Sequence, residues 1–307
     1  MPSYSSKLFN IEPYYDDFDE TKNFHKILFR PGFSVQAREL TQLQTILQNQ
    51  VERLGNHIFR DGSKVYGAES AIQTVDFLRV TTTDPLTSFI GYEIFDGDHR
   101  AKVIHAEPAT TDDAFVVLFV QVVRGTLTNL ASATSLSSTY PIGTATVTPS
   151  SSGQAKLFSV NEGIFYIDGY FVRTGIQYYP GFSGSSRAFN STTENWTYPT
   201  GHFGFDISRE YIGSNTDSTL TDPARGSYNS NAPGADRYKV GLDLKFYETL
   251  ERDNFVPLAN LTNGVITNQR STSEYSEIEK TLARRTYDES GSYVVDPFEI
   301  TVSGSTT

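Results

Sequence analysis

Cysteine is absent from all 307 residues, and the only methionine is Met1. No disulfide framework, thiolate metal site or cysteine nucleophile is therefore available. Long apolar runs are also missing. The longest is Ala114 to Val120, closed by Gln121, and a membrane-spanning helix needs about 20 residues. Met1-Pro2-Ser3-Tyr4 carries neither the basic nor the apolar region of a signal peptide. The expectation is a chain made and folded in a cytoplasm, with no membrane insertion. Positive charge is scarce: 25 Lys and Arg against 36 Asp and Glu give a net charge of −11. Such a chain lacks the clustered cations that bind a phosphate backbone, so nucleic acid is not an expected partner. What the sequence does hold is aromatic, with 18 Tyr and 21 Phe, enough large side chains to build a core.

The predicted organisation is mainly β with α (α+β): an extended N-terminal arm and long helix over residues 1–67, then two antiparallel β-rich domains over 68–180 and 181–307. The arm is acidic and aromatic, as in Pro13-Tyr14-Tyr15-Asp16-Asp17-Phe18-Asp19-Glu20. Arg30-Pro31-Gly32-Phe33 signals a type II turn, since Pro fixes φ and Gly accepts φ > 0. From a Ser34 N-cap to about Phe59 runs the strongest helix pattern, which Asp61-Gly62 is expected to stop. Leu40, Leu43, Leu47, Leu54 and Ile58 make one apolar stripe, flanked by Ile46 and Val51 and interrupted at a seam position by Gln50. Two readings of this stripe stand: packing on the helix's own domain, or a short parallel bundle with copies of itself.

Most of the remainder reads as strand. Gln73–Thr81, Phe89–Phe95 and Arg100–Ala106 are candidates, the last two joined by the Asp96-Gly97-Asp98 turn. Ala114–Val123 is apolar on both faces and reads as a central strand. Residues 129–152, rich in Ser, Thr and Ala, read as loop and weak strand. Lys156–Thr174 forms a compact unit with a two-residue hairpin at Asp168-Gly169. Phe203, Phe205 and Ile207 start the second β-rich domain, and Tyr238 to Tyr247 alternates cleanly. Phe255–Leu261 and Val265–Thr267 add shorter strands. Loop 215–236 is long enough to expect a function, and its Asp-Pro and Ala-Pro-Gly turns predict an ordered contact with another chain. A helix over 271–286 is predicted from a Ser271/Glu274 capping box, with Arg284 and Arg285 in its last turn, followed by a strand over 293–302.

The chemistry motifs are thin. His25, His57, His99, His105 and His202 show no zinc spacing. His99 and His105 invite a pairing across a hairpin, but two ordinary surface histidines are the plainer reading. Asp16-Asp17-Phe18-Asp19-Glu20 lacks the alternating ligands and central Gly of a calcium loop. Phosphate-binding Gly-rich loops and the Gly-x-Ser-x-Gly elbow are absent. The expectation is a protein that is no enzyme and holds no cofactor or metal.

Four segments carry a resemblance. They are Pro13–Asp19 running through Phe29-Arg30-Pro31-Gly32 to Gln36-Ala37-Arg38-Glu39-Leu40-Thr41-Gln42-Leu43-Gln44; Glu162–Val172; Asp222–Asn229 with Ala232–Arg237; and Leu282–Tyr293. Together they resemble a family of tailed-phage virion proteins of contractile-tailed phages, including those of marine cyanobacteria. The resemblance implies a non-enzymatic tail protein, placed at the baseplate or at the root of a fibre. It would assemble in the host cytoplasm, pair with itself as a homotrimer, and join other baseplate or fibre proteins. Family members are often much longer, which implies a short form or the N-terminal part of a longer protein. Self-contact is expected at Leu40, Leu43, Leu47, Leu54 and Ile58. Partner docking is expected at Tyr14, Tyr15, Phe18, Phe24, Asp222, Pro223, Arg225, Tyr228 and Arg237. The alternative function is a receptor- or glycan-binding module of the tail, suggested by the Tyr-rich segments.

Overall fold

The computed structural model describes residues 9–109, 114–141, 145–180, 189–190, 195–196, 200–226, 228–250, 253–263, 265–269 and 276–291. They form three helices and sixteen strands, so the protein is mainly β with antiparallel sheets. The chain gathers into two compact units. Unit one holds residues 1–65, 166–171 and 273–307, and unit two holds 66–165 and 172–272.

Unit one is dominated by helix α1 (Ala37–Ile58). Its N-cap is Gln36, not the expected Ser34. The Glu39 carboxylate, three positions into the turn, reaches back to accept from the Gln36 backbone N–H at 2.9 Å, which closes a capping box. The helix ends before Asp61-Gly62, because Phe59 leaves helical geometry and turns its ring onto Tyr166 and Phe171 (centroids 5.8 and 5.9 Å away). Residues 30–33 form the expected turn, with Gly32 at φ +84°.

Unit two contains a seven-stranded sheet in the order β10–β7–β2–β5–β4–β3–β6. Its members are β2 (Ser70–Thr81), β3 (Glu93–Asp96), β4 (His99–Glu107), β5 (Val116–Arg124), β6 (Leu136–Ser138), β7 (Thr146–Val160) and β10 (Gln177–Pro180). β5 lies at the centre, as its two-sided apolar pattern predicts. Val116, Leu118 and Val120 enter one core with Leu78, Ile94, Val103 and Leu130. Val117 and Phe119 enter a second with Phe77 and Leu157. Part of the predicted strand 89–95 is instead a turn, with Phe89 fully buried behind a short 3-10 helix at Leu86–Ser88. Segment 129–152 was expected to be loop and weak strand. It yields helix α2 (Leu127–Ser132), β6 and half of the fifteen-residue β7. β7 pairs with β2 from Thr148 to Val160; its first half carries mostly small polar side chains, whereas Ala155, Leu157, Phe158 and Val160 of its second half are buried.

β1 (Ser63–Gly67), β8 (Gly163–Ile167) and β9 (Tyr170–Thr174) form a three-stranded sheet, and β11 (Phe189–Asn190) pairs with β12 (Asn195–Trp196). Asp168 and Gly169 connect β8 to β9 with φ of +51° and +81°, the left-handed pair that a type I′ hairpin requires. A four-stranded sheet in the order β14–β13–β15–β16 comprises β13 (Gly201–Ile212), β14 (Arg237–Tyr247), β15 (Phe255–Thr262) and β16 (Val265–Gln269). One edge of β14 is capped by a side chain. The Gln177 amide donates to the Leu242 carbonyl (2.6 Å) and accepts from the Leu244 N–H (2.7 Å), pairing the edge as a strand's own peptide would.

Helix α3 (Ser276–Ser290) runs four residues past the predicted end, so Arg284 and Arg285 do not occupy its last turn. Gly291, at φ +63°, donates back to the Tyr287 carbonyl and terminates it. The predicted Ser271/Glu274 capping box and the strand over 293–302 lie outside the described residues.

Candidate functional site: the exposed apolar face of the N-terminal unit

The face that α1 buries is not its leucine stripe. Its buried residues are Thr45, Ile46, Asn49, Glu52 and Gly55. These meet the arm and the β8–β9 turn within unit one. Gly55 is where the Tyr166 ring lies so close that no Cβ fits, and the Tyr166 hydroxyl donates to the Glu52 carbonyl (2.9 Å) and lies 3.0 Å from Asn56 Oδ1. Gln48 donates to the Gly169 carbonyl at 2.7 Å. At 3.6 residues per turn, the leucine stripe lies nearly opposite this face. Leu40 is 51% exposed, Leu43 39%, Leu47 63% and Leu54 66%, with Val51 at 42% and Ile58 half-buried. Among the described residues nothing of the helix's own unit covers the stripe. The helix has the amphipathic period read from the sequence, yet it seats on its more polar side and turns its leucines outward. α3 lies alongside α1 and leaves them exposed.

The arm completes this surface. Its carboxylates are engaged by the chain's own helix: buried Asp16 accepts from the Thr45 hydroxyl, Asp17 from Arg38 (3.0 Å) and from Gln42, and Glu20 from Arg53. Pairs this exposed contribute about 0–1 kcal/mol each, so they position the arm more than they stabilise the fold. Asp19 caps a short 3-10 turn, and hydrogen bonds from the Thr21 hydroxyl and backbone hold it below the ordinary carboxylate range. Phe18 is half-buried and lines a small cavity with Asn23, His25, Ile46 and Asn49. Tyr14 is half-buried, whereas Tyr15 and Phe24 are exposed at 56% and 65%. Beyond them Leu28, Phe29, Phe33 and Val35 are all exposed. Phe33 and Val35 of this stretch lie beyond the docking residues expected from the sequence, although its run of large side chains without a period was a signal for them.

The polar loop 215–236 is ordered by its own bonds. Asp222 accepts from the Ala224 N–H (2.8 Å) through its carboxylate and pairs with Ala232 and Asn231 through its backbone. A bridge joins Thr221 to Pro233, and Arg237 donates to the Ala235 carbonyl (2.6 Å). Pro223, Arg225 and Tyr228 are exposed, with Tyr228 standing fully in solvent.

Among the described residues no group of three or more His, Asp or Glu is placed to hold a metal. His99 and His105 lie six residues apart on one strand, β4, rather than across a hairpin. The first contacts Asn129 (3.2 Å) and the second Glu107 (2.7 Å). Among the described residues no helix is long and apolar enough to cross a membrane.

Burial holds the proton of two phenols, the buried Tyr166 and the half-buried Tyr179. Burial, reinforced by Glu52 and Asp61, raises Tyr166 to about 12, and burial beside Glu107 and Tyr247 raises Tyr179 to about 12. A phenol whose proton is held more tightly in the folded state contributes stability that is complete below its unfolded value and is lost as pH climbs through the folded one. Denaturant midpoints should therefore hold up to pH 10 and then fall between pH 10 and about 12. Tyr166→Phe or Tyr179→Phe should each remove one share of the slope. A flat profile across that window would contradict the assignment.

No curated protein matches the chain, and no solved structure matches it. A family model does match, over residues 12–85 and 182–307. These segments include the whole of α1, most of the arm, β13 to β16 and α3. With about two-thirds of its length matched, the chain belongs to the family described as a domain of unknown function, DUF4815.

Proposed function

We propose that this chain is a non-enzymatic structural protein of a phage virion. It is assembled in the host cytoplasm and built into the tail, where it joins baseplate components or anchors a fibre. The observation that carries this reading is the N-terminal unit. Its helix turns Leu40, Leu43, Leu47 and Leu54 to solvent, and its arm adds Phe24, Leu28, Phe29 and Phe33. An apolar surface of this extent marks an interaction site. The sequence resemblance to contractile-tail virion proteins supports the assignment to a tail. In the assembled state the stripe meets further copies of the chain, as a homotrimer, and the arm meets another tail protein.

The test is location. Peptides of this chain should be present in purified particles of a phage that encodes it, and antibody labelling should fall on the tail. Abundance in infected cells with absence from purified particles would rule the proposal out. A receptor- or glycan-binding module is the second reading, favoured by the fully exposed Tyr228 on an ordered loop. Labelling at a peripheral free face, rather than against the tail body, would select it.

A further inference from the structure

We infer that α1 packs parallel and in register against the same helix of two further copies, with the leucine stripe at the axis. This rests on reading the N-terminal unit as an assembly surface, and it names the occupant of that surface and its geometry. Three observations select a second copy over an unrelated partner. Leu40, Leu43, Leu47, Gln50, Leu54 and His57 are spaced three and four residues apart in strict alternation. That is the seam of a coiled coil, which demands a facing helix with the same repeat, and a copy supplies it by construction. The seam is also free of Asp, Glu, Lys and Arg at positions 40, 43, 47, 50, 54 and 57. Around a symmetry axis each of these residues meets itself, so a charge there would face its like. The five exposed Leu and Val side chains present roughly 400 Å² of apolar surface, within the range of about 300–600 Å² where the largest patch on a monomer is often functional. That is about half of the roughly 800 Å² each partner gives to a standard interface, and the flanking Gln44, Gln50 and Ile58 extend it.

The width of the stripe argues for three strands. Val51, 42% exposed, and half-buried Ile58 lie beside the seam and widen it. A two-stranded coil covers a narrow a/d seam and favours β-branched residues at the a positions, where this helix has Leu40, Leu47 and Leu54. Gln50 then forms a polar layer of three amides between leucine layers, and His57 adds a second at the C-terminal end of the seam. Such a layer sets register at some cost in stability.

Because the chain has no cysteine, single substitutions read the geometry directly. Leu40 and Leu54 lie about 21 Å apart along the helix, whereas a disulfide needs Cα atoms within about 7 Å. In the parallel arrangement Leu40→Cys alone and Leu54→Cys alone each form covalent dimers on mild oxidation, while Lys245→Cys on the exposed side of β14 does not. The mass of the unmodified chain in solution is three times that of one copy. A monomeric or dimeric mass overturns the inference. So does cross-linking that needs Leu40→Cys and Leu54→Cys chains mixed, which reports antiparallel helices. A trimer that is missing from virions would remove the tail assignment and leave this geometry intact. A monomer found in virions would do the reverse.

Discussion

Replacing Leu47 and Leu54 together by Asp is expected to convert the proposed trimer into a folded monomer. Both side chains are about two-thirds exposed in the single chain (63% and 66%), so the carboxylates are solvated as soon as the copies part. No core contact is lost, and the cost to the isolated fold is that of an ordinary surface change, within about 0.5 kcal/mol. In the assembled state the same change places six carboxylates around one axis, where desolvation and mutual repulsion each act against association. Sedimentation should show about a threefold fall in mass, with the circular dichroism of the parent. Ile46→Asp provides the contrast. Ile46 is one residue from Leu47 but only 6% exposed, on the face that packs within unit one. A charge there is buried without a partner, costs several kcal/mol, and should disrupt the unit itself. If Ile46→Asp were tolerated and the double Leu variant unfolded, the two faces of α1 would have been assigned the wrong way round.

That contrast also marks where the sequence was legible. The period of α1 was evident from its leucines, and its start was displaced by only a few residues. What the pattern does not contain is which face the protein covers by itself. Amphipathicity states that an apolar stripe needs covering; it does not state whether the cover lies in the same chain. Here Gly55 admits the Tyr166 ring and Asp16 bonds to Thr45. These long-range pairings draw the polar side inward, and no local rule anticipates them. The acidic arm was open to the same ambiguity. Its carboxylates need basic groups to face, and those they meet among the described residues are Arg38 and Arg53 of its own helix. Strands announced by composition were found where expected: β5 by its two-sided apolar run, β8 and β9 by Asp168-Gly169, and β14 by its alternation. The first half of β7 was announced only as loop and weak strand, because Ser and Thr carry little core signal and the strand is held there by pairing with β2; its second half falls in the predicted unit over Lys156–Thr174. Of the exposed stretch from Phe24 to Val35, Phe33 and Val35 lay beyond the expected docking arm, since aperiodic apolar residues read equally well as core.

Phe203→Ala should be the most damaging single truncation in unit two. Phe203 is fully buried on β13, directly opposite Phe246 of β14. Its ring stacks on Phe158 of β7 with centroids 4.2 Å apart and planes 6° from parallel, and it meets Tyr179 of β10 edge-on at 5.3 Å. It therefore joins the four-stranded sheet to the seven-stranded one, and three aromatic neighbours lose a packing surface together when it is cut back. Removing a buried Phe costs about 3–5 kcal/mol, as lost transfer energy plus the cavity that remains, and aromatic pairs add about 0.5–1.5 kcal/mol beyond their area. The site cannot collapse easily, because Phe158 and Phe246 belong to strands held in register by their own ladders. Phe203→Leu, which keeps most of the volume, should recover more than half of the loss. Phe205→Ala has the same burial but, among the described residues, a single ring neighbour in Phe165 (5.2 Å), and should cost measurably less than Phe203→Ala. Denaturant unfolding of the three variants against the parent checks the order. If Phe205→Ala proved the more costly, the two sheets would be held elsewhere than through the Phe158–Phe203 stack.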